Sequence, residues 1–130
     1  MWLALLVAAA LVLTACKGPS GQERAQVAEG AAIYARDCQS CHGEAATAEG
    51  GTGGAPAHGP RGHTWHHADG QLMEIVLGRL SYSGRTMPSF EGKLTEEQVL
   101  AVLAYFKTTW EADQLAFQAE VSRNWEETRR

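Results

Sequence analysis

The chain has too little positive charge to bind nucleic acid or an anionic bilayer electrostatically: 11 Lys and Arg stand against 15 Asp and Glu, for a formal net charge of −4. Cysteine is scarce as well. Cys16, Cys38 and Cys41 are too few for a zinc site built from two thiolate pairs, and their odd number means that each needs its own explanation. No apolar run reaches the roughly 20 residues that a membrane-spanning helix requires. No internal repeat is present, and 130 residues bound a single small domain. A domain of that size buries a thin core and commonly leans on a disulfide, a metal or another non-protein filler.

What is present begins with an address. Residues Met1 to Ala15 carry no charge and have the length of a signal-peptide apolar region, although no Lys or Arg precedes the run. The stretch Leu13-Thr14-Ala15-Cys16 resembles the lipobox of bacterial lipoproteins. That resemblance implies a signal peptide over 1–15 and lipidation of Cys16. It further implies an exported domain in the periplasm or extracytoplasmic space, held at the cell membrane or outer membrane by acyl chains. Residues 16–26 are then the lipidated cysteine and a flexible tether, being polar with Gly and Pro.

Cys38-Gln39-Ser40-Cys41-His42 is a C-x-x-C-H motif, the pattern of covalent haem attachment. Two thiols flanking a tight turn can add to the two haem vinyl groups, and the adjacent imidazole is thereby brought under the iron. A thioredoxin-like redox pair would follow a strand, whereas residues 27–37 are alanine-rich and helical in character. A zinc site would need further ligands, for which His63, His66 and His67 are the available set.

Four features in order resemble the class I cytochromes c over about residues 27–110. They are a short helix with Gly30 and Tyr34, the C-x-x-C-H, Met87-Pro88 in a loop, and a helix bearing Val102, Tyr105 and Phe106. The resemblance implies an all-α fold, with three to four core helices around one covalent haem c and Gly30 at a close helix crossing. It implies Met87 as distal ligand opposite His42, and the carbonyl of Pro60 as acceptor from the His42 imidazole. Met73 falls on a probable helix from Asp69 to about Gly78, among Leu72, Ile75 and Val76, and reads as packing. Met87, before a stiffening proline in a loop, is free to point inward. Arg61 and Trp65 are candidate propionate partners, through guanidinium and indole N–H. The segment His63 to His67 reads as a polar loop near the haem edge, with a second metal site or a bis-histidine ligand set as alternatives.

Thr95-Glu-Glu-Gln98 has the form of a capping box, so a helix should run from Leu94 or Thr95 to about Trp110. Residues 111–130 form a helical C-terminal extension, with Trp110, Phe117, Val121 and Trp125 near one stripe, folded back on the domain or docking a partner. The expected function is single-electron transfer between redox-protein donor and acceptor, without catalysis. Arg61, Arg79, Arg85 and Lys93 are candidates for a positive ring around the haem edge. Two other readings stand beside it: a haem-based sensor or small haem enzyme with displaceable Met87, and a histidine-rich metal carrier.

Overall fold

The structure, a computed structural model, describes residues 18–47, 50–80, 84 and 87–130. The proposed lipidation site Cys16, the signal segment and Arg85 lie outside these residues. Among the described residues there are five α-helices and no strand, and no helix is long and apolar enough to cross a membrane.

Helix α1 spans Gly21–Asp37. Ser20 starts it with a reciprocal capping box: its hydroxyl accepts from Glu23 N at 3.2 Å, and the Glu23 carboxylate accepts from Ser20 N at 2.6 Å. The tether expected through residue 26 is therefore helical from Gly21 onward, because the cap and the alanine content that follows outweigh its polar composition. Gly30, Ile33 and Tyr34 are buried, a narrow i, i+3, i+4 stripe on an otherwise solvated helix.

That stripe meets α4, Glu96–Lys107, which opens on the capping box of Thr95 and Gln98. Helix α4 ends three residues short of Trp110, which lies buried in the turn that follows. The two helices touch backbone to backbone. A Cβ built on Gly30 would stand 1.9 Å from Ala101 O and 2.4 Å from Ala101 C. Tyr34 then meets Phe106 edge to face, with ring centroids 5.4 Å apart.

Beyond α1 the chain makes one further turn, α2 (Gln39–His42), which carries the C-x-x-C-H residues. The Tyr34 hydroxyl donates to Gly43 O at 2.6 Å and ties the end of this turn back to α1. Helix α3, Asp69–Val76, stops two residues before Gly78. Its Leu72 joins Leu77, Phe90, Leu94, Val99, Leu103 and Trp110 in a single apolar core.

Helix α5 spans Ala112–Glu127 and packs on α3 and on the short 3-10 turn Thr64–His66. The expected apolar stripe is not what it buries. Phe117 is 44% exposed, whereas Gln118 is 2% exposed. A polar side chain holds this helix down, for reasons set out with the site.

Gly30→Ala places a methyl against helix backbone that has no rotamer to yield. The substitution should cost about 3 kcal/mol, the upper end of overpacking penalties, read from denaturant unfolding of the cofactor-loaded protein.

Candidate functional site

A cleft of about 740 Å³ opens between α2, α3, α4 and the loops that join them. That volume falls within the roughly 300–1,000 Å³ range of cofactor and ligand sites. Cys38, Cys41 and His42 line it together with Met87, so the motif at one end of the sequence and the methionine loop at the other share one cavity. Leu72, Ile75, Val76, Phe90, Leu103 and Phe106 supply apolar wall.

His42 is buried, and its Nδ1 lies 2.9 Å from Pro56 O. The expectation of Pro60 in this role is corrected. The Pro60 carbonyl is instead taken by Trp65 Nε1 at 3.2 Å and by Gln114 Nε2 at 2.7 Å. The Gly-Pro pair at 59–60 drew attention to the wrong proline, because its real task is to anchor α5, a contact with no local trace in the sequence. A carbonyl on Nδ1 fixes the ring's orientation and leaves Nε2 as the nitrogen available to a metal.

The backbone around the motif is shaped for close approach. A Cβ on Gly51 would fall 1.4 Å from Cys41 O and 2.7 Å from His42 Cα. Only glycine lets the 50–55 loop lie on the attachment turn and close one side of the cleft. Burial pushes the Cys38 thiol up to about 11, with the Asp37 carboxylate adding to the effect. The residues before Cys38 are helix rather than strand. That setting differs from the strand that precedes a thioredoxin-like redox pair.

His58 is a wall residue that motif reading passed over. Its ring stacks on Phe106 at 4.2 Å and lies 4.5 Å from the ring of His42. Burial pushes its imidazole down to about 3, with His42 contributing, so it stands neutral. Thr64 Oγ1 lies 2.7 Å from His58 Nδ1 and donates to Ala57 O at 3.3 Å, which makes the hydroxyl an acceptor for a proton on Nδ1. Trp110 Nε1 donates to His58 O at 2.8 Å. The only sequence signal would have been a histidine between small residues, Ala57 and Gly59, in a loop that must pack.

Neither Arg61 nor Trp65 lines the cleft. Arg61 is exposed, and the Trp65 indole N–H is spent on Pro60, so the structure does not bring either to the propionate role expected of it. His63 and His67 do line the cleft. His66 stacks on Trp65 at 3.6 Å and on His63 at 4.4 Å, while His63 and His67 meet edge to face at 5.2 Å. Among the described residues no group of three or more His, Cys, Asp or Glu is arranged to hold a metal ion.

The proposed positive ring is also altered. Arg79 is paired with Glu96 at 2.7 Å, Glu91 at 3.0 Å and Glu74 at 3.6 Å. It braces the loop that follows α3 against α4 instead of presenting free charge. Lys93 sits over the Phe90 ring at 5.7 Å. Met73 packs against the core and is absent from the cleft lining, in keeping with a packing role.

The donor set, the apolar walls and the glycine-tight attachment loop together fit a covalently held haem. The family model described as cytochrome c oxidase, cbb3-type, subunit III matches residues 25–106. No curated protein and no solved structure matches the chain.

Thr64→Val keeps the shape of the side chain but leaves His58 Nδ1 without its hydroxyl partner. The cost should be about 1–3 kcal/mol, the penalty for a shielded unsatisfied polar group, again read from denaturant unfolding of the loaded protein.

Proposed function

The chain belongs to the cytochrome c oxidase, cbb3-type, subunit III family, a class I c-type cytochrome family whose domain binds covalently attached haem c, and on that premise we propose that it carries single electrons between redox proteins at a membrane surface. Cys38 and Cys41 would hold the haem through thioethers, and His42 and Met87 would be the ligands to its iron. When bound, the haem supplies a one-electron ferric/ferrous couple, and every other part of the task falls to the chain.

The Pro56 carbonyl aligns His42 and raises its basicity, which tunes the iron through the ligand. The apolar wall of Leu72, Ile75, Val76 and Phe90 keeps water from the cavity, and so disfavours the more highly charged ferric state. Were His42 and Met87 both to ligate the iron, the metal would offer no position to a substrate. Electrons must then pass through an edge that reaches the surface. Cys41 and Pro88 are both exposed and both line the cleft, so they lie where a haem held there would come nearest the surface. Partners would dock there through a small interface of the kind found in redox encounters, below about 1,200 Å².

The observation that carries this reading is the meeting of Cys38, Cys41, His42 and Met87 on one apolar cavity, with the His42 ring already oriented by Pro56 O at 2.9 Å. Lipidation of Cys16, after a signal over residues 1–15, would tether the domain through a segment of 16–20, short because α1 begins at Gly21. Mass spectrometry of the mature N-terminus should find a diacylglyceryl-modified Cys16. An unmodified cysteine, or retention of residues 1–15, contradicts the anchor.

The ligand assignment is tested by visible spectra of oxidised and reduced wild type against Met87→Ala. The ferric wild type should show a weak long-wavelength sulfur-to-iron band, absent from the variant. A wild-type spectrum that is already high-spin or bis-histidine, and unchanged by the substitution, would reduce Met87 to packing.

A further inference from the structure

Helix α5 lies outside the residues matched by the family model, yet it is bonded to one wall of the haem cleft. The connection runs through Gln118. Its buried amide nitrogen reaches His67 O at 3.2 Å, Asp69 Oδ1 at 2.7 Å and Ser122 Oγ at 3.0 Å. Ser122 Oγ also accepts from Asp69 N at 3.0 Å.

This last bond has a specific purpose. Asp69 opens α3, and the residue at the N-cap position is Ala68, which has no side chain able to take an orphan N–H of the first turn. Ser122 supplies that cap from another helix. The other Asp69 oxygen, Oδ2, pairs with Lys107 Nζ of α4 at 2.5 Å. The start of α3 is therefore held from two sides, by α5 and by α4, and hardly at all by its own sequence. Gly70 completes the contact: a Cβ there would come within 2.6 Å of Trp125 Nε1. His67, one residue before Ala68, and Leu72, Ile75 and Val76 on α3 all line the cleft.

We propose that Gln118 is a positioning residue for the haem site, a buried strut through which α5 fixes the His67–Asp69 segment and with it the α3 wall of the cleft. Its amide satisfies groups that an apolar side chain would leave unpaired, which explains why a glutamine occupies the most buried position of a helix whose phenylalanine is exposed. Loosening the strut lets the α3 wall breathe and admits water to the cavity. Water stabilises the ferric charge, so the reduction equilibrium moves toward the oxidised form.

The proposal rests on the haem occupying this cleft, and the experiment separates the two. Full-length, haem-loaded Gln118→Leu, Ser122→Ala and a control, Leu115→Ala on the exposed face of α5, are compared with wild type. Three quantities are read: covalent haem per chain, reduction midpoint, and amide hydrogen exchange. In Gln118→Leu the haem content should be unchanged. The reduction equilibrium should shift about threefold toward the oxidised form, which is about 28 mV for one electron. Amides of 67–72 should exchange at least about tenfold faster, with those of 30–34 unaffected. Ser122→Ala should move the same two readouts in the same direction by less, and it decides the question if Gln118→Leu yields no holoprotein. Leu115→Ala should move neither. A lowered melting temperature with wild-type midpoint and wild-type exchange at 67–72 would overturn the proposal and leave Gln118 as ordinary packing. Failure of the haem placement would show differently, as covalent haem retained after Cys38→Ala and Cys41→Ala are combined.

Discussion

The structure depends on one close approach, the backbone of Gly30 against the carbonyl of Ala101. Because α1 and α4 touch there without intervening side chains, Tyr34 and Phe106 stand in edge-to-face contact, and the Tyr34 hydroxyl reaches Gly43 just past the attachment motif. The position of Cys38, Cys41 and His42 against the far wall of the cleft follows from that crossing. A methyl at residue 30 would push α1, which leads directly into the attachment turn, away from α4, the helix that supplies Val102, Leu103 and Phe106 to the same cavity.

Around this crossing the cleft is held by two kinds of contact. One is apolar and shared with the core, in which Leu72, Phe90, Leu94 and Leu103 face both the interior and the cofactor space. The other is a set of directed bonds onto loop carbonyls and helix ends: Pro56 to His42, Pro60 to Trp65 and Gln114, and the Gln118, Ser122 and Asp69 group. The apolar part supplies affinity without geometry. The directed bonds orient the imidazole and tie down the start of α3, and partners of this kind orient a metal ligand and tune the metal it would hold.

Much of this was legible in the sequence where the signal is local. The C-x-x-C-H, the capping box at Thr95 and the helix beginning at Asp69 each carry their meaning within a few residues, whereas the close crossing at Gly30 came from the family resemblance. The lapses share a cause. Choosing between Pro56 and Pro60 for His42, placing Arg61 and Trp65, and seeing what α5 buries all turn on how loops and helices pack, over separations from 5 residues for Trp65 and Pro60 and 14 for His42 and Pro56 up to some 50 for α5. Gln114 on Pro60 and Gln118 on Asp69 are such pairs, at separations of 54 and 49. The start of α1 was missed for a different reason, since Ser20 and Glu23 form a capping box inside a segment whose Gly and Pro content reads as tether.

The central claim is that the haem iron has no open position, which separates an electron carrier from a ligand-binding sensor or enzyme. Carbon monoxide added to the reduced, haem-loaded protein at neutral pH tests it directly. The account predicts no stoichiometric binding on mixing, because on the proposed ligand set Met87 would hold the sixth position. Rapid, saturating formation of a carbon monoxide complex in the wild-type protein would contradict it.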